Sequence, residues 1–595
     1  MKKINLLIIA IASLFSSCSD VLDKEPLDTI SDATLWSDPV LIDDYLNQCY
    51  AEMVFAWETQ YGGTTVQAQG LYSWFEQTMS MTFSDEARSD WETTQPRYHY
   101  LNANGGIYEW WGYPTVRRLN IFIEQLEPMN LDPVYKKNRL AEARYLRAHA
   151  YFNMVKRYGG VPLITRAQQL NDSQETLFPL RNKEAEIYDF IIAELEAIAP
   201  DLLDTESGRA TQWTALALES RAAMYAASIA TWGGVALDGV VGIPANKASE
   251  YWQKCYNASQ NIINNGPFVL YNVEADKVKN FRNLFLAENN SEVIFAERFD
   301  GLSGKGHSYD MFNVPRSYHV WGAGQHVSLY LEMAESFDNV DGSSGVIDRN
   351  LIQAGHEFTV DELFGQKDPR FKASVYTQGT SWKNGAVTLD YHKGIETPQG
   401  LITSGQYNGV LANSQMEAAG TPFGVLKYLD EVERSEVMER NHSDTDYIVF
   451  RLGEVLLNYA EAAMELGQNG DALSAVNKLR NRAGMPEYSA ITRDLVRKER
   501  KVELAFEGNR YWDLRRWRVA EGVLSNSFHS LRFVLVGNSF TPENYNVRTA
   551  KYKLQIIDNI NGTPPPFFDE KQYYLPIGLP RRGQNPKLVE NPFYN

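Results

Sequence analysis

Apolar residues recur every three or four positions in several long segments of the chain, which is the spacing of a helix with one buried face. The pattern predicts helices over 138–158, 184–199 and 211–231. A glycine pair follows the first and the third of these segments, and glycine is the usual residue just beyond a helix end. The apolar face of the first helix is made of Leu140, Ala143, Leu146, Ala150 and Met154.

The clearest repeat lies over 450–486, where residue sizes follow the tetratricopeptide template of large, small and turn-glycine positions. Small residues let two crossing helices approach, and large residues fill the groove between them. A lone helical hairpin is not stable, so the three earlier helices are its expected stacking partners. The matching positions are Leu456, Tyr459, Ala460, Ala463, Gly467, Ala472, Val476 and Leu479.

A further helix is predicted over 493–510, with few apolar residues among many charges. We interpret its charged residues as an ion-pair lattice that holds helices together, and not as a catalytic carboxylate pair. These residues are Glu499, Arg500, Glu503, Glu507 and Arg510.

The helical periodicity fades between about 266 and 445, where glycine, asparagine and turn residues are frequent. Short strand-like runs occur at 293–296 and 447–450. We expect loops and small hairpins over a helical scaffold, and binding residues often lie in such loops. The predicted fold class is mainly α, a tetratricopeptide-like scaffold of helical hairpins with a loop-rich, irregular second region that carries short strands.

The composition is that of a folded globular protein with a strong acidic balance, 44% hydrophobic and 22% charged residues with a net charge of -18. Nucleic acid is an unsuitable partner, because phosphates need a basic surface. The basic run 515–518 is interpreted as paired with neighbouring acids.

Three cysteines do not make a disulfide framework, and we expect Cys49 and Cys255 to be buried free thiols.

The amino terminus has the parts of a secretory signal: two lysines, an apolar run over 6–15, and two serines before Cys18. The apolar run is too short to span a bilayer. A cysteine in this position resembles the cleavage and acylation site of bacterial lipoproteins, although Phe15 stands where leucine is more usual. Several acyl chains on Cys18 would anchor the mature protein firmly.

The chain lacks the common catalytic motifs, with no HExxH, no G-x-S-x-G and no complete phosphate loop. No catalytic residue, metal ligand or cofactor is predicted.

Aromatic rings with polar groups around them suit the apolar faces and hydroxyls of sugars. Core packing is the alternative reading of the same rings. The candidate glycan-binding residues are Trp74, Asp85, Trp91, Arg298, Tyr309, Asn313 and Trp321.

Motifs in order along most of the chain resemble the SusD/RagB family, nutrient-uptake lipoproteins of the outer membrane. The most recognisable are the segments 141–163 and 451–462, with Glu499-Arg500 and Asp513-Leu514-Arg515-Arg516-Trp517 near the carboxyl end. Shorter matches lie at 18–26, 208–211, 341–342, 368–370, 574–577, 585–586 and 591–592.

The resemblance implies stacked helix pairs, a SusC-like TonB-dependent transporter as partner, and a lipid anchor in the outer membrane facing the cell exterior. It transfers no ligand residue, because ligand contacts in this family lie in variable loops. The predicted divisions are a lipoprotein signal peptide at 1–17, a tether at 18–32, an N-terminal helical region at 33–265, a loop-rich ligand-binding region at 266–445 and a C-terminal region with the tetratricopeptide-like hairpin at 446–595.

The leading hypothesis is a protein that captures oligosaccharide or polysaccharide and delivers it to the transporter without catalysing a reaction. A second hypothesis keeps the transporter and changes the cargo to peptide. A third is a tetratricopeptide adaptor that binds only protein. A fourth, a glycosidase with two carboxylates far apart in sequence, is the least favoured.

Overall fold

The structure is a computed structural model, and it describes residues 32–53, 55, 80–89, 109–206, 208–301, 303–304, 306–318, 324–383, 385–414, 420–430, 442–561 and 567–594. The predicted signal peptide, the predicted acylation site Cys18 and nearly all of the predicted tether lie outside the described residues, as do Trp74, Trp91 and Trp321.

Long helices make up the first and last parts of the described chain. In order they are α1 (Pro39–Ala51), α2 (Tyr113–Leu126), α3 (Pro133–Tyr158), α4 (Glu184–Ile198), α5 (Gln212–Trp232), α6 (Ala248–Asn265), α7 (Leu452–Glu465), α8 (Asn469–Ala483) and α9 (Arg493–Glu503).

Helix α3 shows why the sequence begins and ends a helix where it does. The Asp132 side chain accepts hydrogen bonds from the first free N–H groups, and Pro133 occupies the first helical position. At the other end Gly159 adopts φ of +75°, which favours glycine. A Cβ on Gly160 would lie 1.9 Å from the carbonyl oxygen of Asn182, so the second glycine lets two backbone segments touch.

The helices form one stack in which each packs against the next, from α2 on α3 to α5 on α6. Helix α7 then packs against α6, although about 190 residues separate them in sequence. The stack is therefore continuous through space, and the loop-rich region is inserted between its two halves. The helices share one large hydrophobic core.

The predicted tetratricopeptide hairpin is confirmed as α7 and α8. Gly467 turns the chain with φ of +77°, and the predicted small positions are fully buried between the helices. Tyr459 faces outward from the hairpin and stacks on Tyr256 of α6, with ring centroids 4.6 Å apart. The hairpin thus joins the earlier helices as the repeat pattern predicted.

The prediction of one helix over 493–510 is wrong in its second half. Helix α9 ends at Glu503, and a separate short helix runs over Arg510–Arg516. Phe506 and Gly508 between them adopt φ of +65° and +78°, which a continuous helix does not allow. The break turns the carboxylate of Glu507 toward buried cations. The stabilisation from these ion pairs outweighs the stabilisation that a continuous helix would give.

The inserted region consists of short helices, small sheets and hairpins, which confirms the predicted irregular character. Strands β2 to β11 lie in this region, and the other strands of the described residues lie before or after it. In chain order the strands are β1 (Ala87–Ser89), β2 (Val293–Glu297), β3 (Val327–Leu329), β4 (Val375–Tyr376), β5 (Ser381–Trp382), β6 (Val387–Thr388), β7 (Ile395–Thr397), β8 (Gly400–Ile402), β9 (Gln406–Tyr407), β10 (Val410–Leu411), β11 (Gly424–Val425), β12 (Tyr447–Arg451), β13 (Ser530–Val536) and β14 (Tyr552–Ile557).

Four-stranded sheets have the orders β1-β3-β11-β4 and β14-β13-β7-β8, and hairpins join β5 to β6 and β9 to β10. The two strands predicted from sequence, β2 and β12, pair with each other in antiparallel register. Since β12 leads directly into α7, this ladder ties the inserted region to the helical stack. Beside it lie a second hydrophobic core and a small third core.

The two described cysteines are buried free thiols, as predicted. Burial raises the pKa of both Cys49 and Cys255 to about 12.

Candidate functional site

The loop that leaves β2 carries most of the described candidate residues, and its first residue, Arg298, is exposed. Arg298 pairs with the carboxylate of Asp446 and with the side chain of Asn289. Asp446 also accepts a hydrogen bond from the backbone N–H of Phe299, at 3.1 Å. The antiparallel ladder brings these residues together, because Glu297 lies opposite Tyr447. Arg298 thus lies at the surface with its position set by the ladder.

His307 fixes the middle of the same loop. Its backbone exchanges two hydrogen bonds with Ser443, at 2.8 and 2.9 Å. Its Nδ1 accepts the backbone N–H of Tyr309, so Nε2 carries the proton and donates to the carbonyl oxygen of Thr445 at 3.0 Å. These contacts hold the loop against the segment that precedes β12.

Tyr309 and Asn313 lie together on the short helix Tyr309–Asn313, and both are buried. The Tyr309 hydroxyl donates to the carbonyl oxygen of Lys427, at 3.0 Å. The Asn313 amide donates to the carbonyl oxygen of Tyr309, and the Tyr376 hydroxyl donates to that of Asn313. Their described contacts are to protein, so they position the loop, while direct contact with a glycan stays a prediction.

Asp85 is held by a different part of the fold. Its two carboxylate oxygens accept from Arg510 at 2.7 and 3.0 Å and from Lys501 at 2.9 Å, and the side chain is buried. Burial acts to raise the pKa of Asp85, but the two cations outweigh it and hold that pKa well below its usual range. Asp85 therefore serves as a fixed anion between β1 and the end of the helical stack.

The far end of the loop presents an aromatic pair that the sequence did not single out. The half-exposed ring of Tyr318 stacks on the buried ring of Trp382, with centroids 5.9 Å apart and planes 28° apart. The ammonium of Lys383 lies 5.3 Å from the centroid of Tyr318. Trp382 and Lys383 come from the β5–β6 hairpin, far along the chain. The sequence signals of this pair, here called the aromatic platform, are a tyrosine in an aromatic-rich loop and a tryptophan in a turn-rich segment, and neither reveals its stacking partner.

The loop therefore carries a guanidinium paired with a carboxylate at its first residue, Arg298, and an aromatic ring supported by Trp382 with an ammonium beside it at Tyr318. An aromatic face and a few oriented polar groups suit a sugar ring with its hydroxyls. Trp321 lies three residues beyond Tyr318 but outside the described residues.

The ion-pair lattice predicted at the carboxyl end is a separate feature, and the structure confirms it. Glu499 and Glu503 both accept from Arg370, Arg500 pairs with Asp513, and Glu507 pairs with Arg451. All of these side chains are buried. The lattice is structural, because its carboxylates are held by cations within the protein.

No helix in the part of the chain that the structure describes is long and apolar enough to cross a bilayer.

Two family models match the chain. The model of the SusD family matches residues 291–594. The model described as "Starch-binding associating with outer membrane" matches residues 20–224. Together they cover α1 to α4, the first part of α5, most of the inserted region and α7 to α9, while α6 lies between the two matches.

Curated relatives match over most of their own length. A SusD-like protein of Bacteroides ovatus is 25% identical over 100% of this chain and 98% of the relative. SusD-like protein P38 of Formosa agariphila is 24% identical over 88% of this chain and 92% of the relative. The starch-binding protein SusD of Bacteroides thetaiotaomicron is 25% identical over 69% of each chain.

Solved structures share the fold. A SusD-like protein of Bacteroides fragilis superposes with a TM-score of 0.69 at 23% identity, over 96% of this chain and 100% of that one. The surface glycan-binding protein A of Bacteroides uniformis gives 0.57 at 18% identity, over 94% and 100%. These likenesses confirm the predicted mainly α, SusD-like architecture. With a family model that spans more than half of its length, the chain belongs to the SusD family.

Proposed function

We propose that this protein is a surface lipoprotein that binds oligosaccharide or polysaccharide and passes it to a SusC-like TonB-dependent transporter, without catalysing a reaction. Membership of the SusD family supports the binding role. Relatives and structural neighbours include a starch-binding protein, a laminarin-binding protein and surface glycan-binding proteins.

The observation that carries the proposal is the supported aromatic ring at the end of the candidate loop. Tyr318 is stacked on Trp382 and is half-exposed, so one part of its ring faces outward from a fixed position. Arg298 and Lys383 supply donors near the same loop, and Asp446 supplies an acceptor. A sugar lying on the ring would find hydrogen-bonding partners for its hydroxyls.

Trp74, Trp91 and Trp321 remain proposed glycan contacts, and Arg298 joins them from the described residues. Asp85, Tyr309 and Asn313 are proposed to act by positioning, because each is buried and bonded to protein. Among the described candidates, the exposed Arg298 is thereby assigned to the ligand, and the buried residues are assigned to the support of the loops.

Delivery to the transporter requires that the protein sit at the outer membrane. We propose that acyl chains on Cys18 provide the anchor, with 1–17 removed as the signal peptide and 18–32 as a tether. An acidic body of net charge -18 does not bind an anionic membrane by itself, so the anchor is the source of membrane attachment.

Isothermal titration calorimetry of the detergent-solubilised lipoprotein against a panel of neutral and acidic polysaccharides tests the binding role. We expect heat of binding with at least one polysaccharide and none after substitution of both Tyr318 and Trp321 by alanine. Absence of binding to the whole panel, together with peptides recovered by mass spectrometry from protein purified from its host, would replace glycan by peptide as the cargo.

A further inference from the structure

A guanidinium at the edge of the helical stack lies between two indole rings. The Cζ atom of Arg497, on α9, is 4.7 Å from the ring centroid of Trp232 and 4.5 Å from that of Trp517. Trp232 ends helix α5 and is half-exposed, while Trp517 is buried. Arg497 is thus held in one orientation by the faces of two rings.

Arg497 lacks a polar partner in the described part of the chain. It forms no ion pair there, and its Nε is buried without a hydrogen-bond acceptor. Burial lowers the pKa of Arg497 from its usual value, which reflects the cost of an unpaired cation in this position. An arginine remains protonated in spite of such a shift, so the cation persists.

The acids nearest to Arg497 are already held by other arginines. Glu465 accepts two hydrogen bonds from Arg493, at 2.6 and 2.8 Å. Both oxygens of Glu461 accept from Arg516, each at 2.6 Å. Arg497 is therefore a surplus cation on a protein with a net charge of -18. Its natural complement is a carboxylate from outside the chain, which can accept two parallel hydrogen bonds from one guanidinium.

Exposed apolar side chains follow Trp232 directly in sequence. Val235 is 53% exposed and Leu237 is 40% exposed. Their loop is held by paired backbone hydrogen bonds between Ala236 and Val241, at 2.8 and 3.2 Å. Leu237 also lines an open cleft of about 570 Å³ together with Leu180, which is 64% exposed. Exposed apolar side chains that follow an aromatic residue in contact with an arginine have the composition of a protein-binding surface.

We propose that Trp232, Arg497 and the loop 233–239, here called the Arg497 surface, dock the transporter partner, and that an acidic side chain of that partner pairs with Arg497. The inference rests on the proposed function, which supplies the partner. Apolar side chains of the transporter would cover Val235 and Leu237, and its carboxylate would form an ion pair with the guanidinium of Arg497.

A membrane surface fits the same groups less well. Attraction to anionic lipid takes several lysine or arginine side chains, each contributing about 1 kcal/mol. The Arg497 surface offers one unpaired cation, and the adjoining cleft has no surplus of positive charge, because Arg181, Lys183 and Lys587 line it together with Glu175, Glu186 and Asp238. One cation matches a single carboxylate with apolar neighbours better than it matches a layer of anionic lipid.

Affinity capture from the native host tests the inference with the whole lipoprotein. Tagged wild type and the variants Arg497→Glu and Arg532→Glu would be purified from outer membranes in mild detergent, and any TonB-dependent transporter quantified by mass spectrometry. Arg532 is exposed on β13 and is the matched control. We expect Arg497→Glu to capture about 10-fold less transporter or lower, and Arg532→Glu to match the wild type.

A photo-crosslinking amino acid provides a readout that keeps the native Arg497. We expect a crosslink to the transporter from position 235 and none from position 401, because Leu401 has nearly the same exposure, 52%, on the distant strand β8. Equal capture by wild type and Arg497→Glu, or crosslinks from position 235 to lipid alone, would overturn the inference and leave the proposed function intact. Failure of the wild type to capture any such transporter would overturn both.

Discussion

Arg451 and Glu503 form an ion pair away from solvent, with Nη1 of the arginine 2.8 Å from Oε1 of the glutamate. Arg451 ends β12, and Glu503 ends α9. Arg370 of the inserted region and Arg482 of α8 also bind Glu503. One carboxylate therefore joins the strand ladder, the last helices of the stack and the inserted region.

Removal of the charge on Glu503 should destabilise the protein strongly. In Glu503→Gln three buried arginines lose part of their counter-charge, and breaking a buried ion pair on one side costs about 3–5 kcal/mol. Glu357→Gln is the control, because Glu357 pairs with Lys551 at the surface and such a pair contributes about 1 kcal/mol or less. Urea unfolding followed by circular dichroism measures both free energies. Equal effects of the two substitutions would contradict a central role for Glu503.

Stability should fall as pH rises through the titration of Glu219. Burial on α5, with the nearby Glu196, raises the pKa of Glu219 from 4.5 to about 8. Because the folded-state pKa is the higher one, the folded state holds the proton more tightly. Its contribution is full below pH 4.5 and is lost as pH rises through 8.

The variant Glu219→Gln isolates this effect. We expect it to match the wild type near pH 4.5 and to be more stable above pH 8, by at most about 5 kcal/mol for a shift of this size. Thermal unfolding between pH 4.5 and 9 is the measurement, with the exposed Glu250→Gln as control. A wild-type advantage at pH 9 would refute the raised pKa.

Loss of the aromatic platform should weaken glycan binding while the fold is retained. Tyr318→Ala removes the half-exposed ring that stacks on Trp382, and we expect the dissociation constant to rise about 10-fold. Tyr407→Ala removes a ring of similar exposure from β9 and should leave affinity unchanged. Calorimetry with the polysaccharide that binds the wild type compares them. An equal loss in both variants would show that the platform is not the binding surface.

Membrane attachment should depend on Cys18 alone among the cysteines. We expect Cys18→Ala to leave the membrane fraction and to lack fatty acid by mass spectrometry, because the acyl chains supply the anchoring energy. Cys255→Ala should stay membrane-bound, since Cys255 is buried within the helical stack. Retention of an unacylated Cys18→Ala protein in the membrane would exclude the lipid anchor.

The sequence predicted α3, α4, α5 and the α7–α8 hairpin because local rules act there, but it gave no range for α1, α2 or α6. The glycine pair after Tyr158 and the small residues of the hairpin are readable from spacing alone, whereas the start of α3 was predicted at 138 and lies at Pro133, capped by Asp132. The prediction failed after Glu503, where Phe506 leaves the helical conformation. That break depends on buried cations brought from β12 and other distant segments, which no local pattern contains.

The candidate site was less predictable, for a related reason. Loop residues were chosen by type, and type does not distinguish a ring that faces solvent from one that supports a loop. Tyr309 and Asn313 proved buried, and Asp85 proved to be held by Lys501 and Arg510 from the far end of the chain.

By itself, the sequence determined the helical repeat, the free cysteines and the family to which the chain belongs. These properties follow from local periodicity and from motifs that keep their order along the chain. Tertiary structure decided that α7 continues the stack from α6, that Trp382 supports Tyr318, and that Arg497 lies unpaired between two indoles. Each of these depends on which side chains fold into contact, and contact energies between residues tens to hundreds of positions apart leave no periodic trace in sequence.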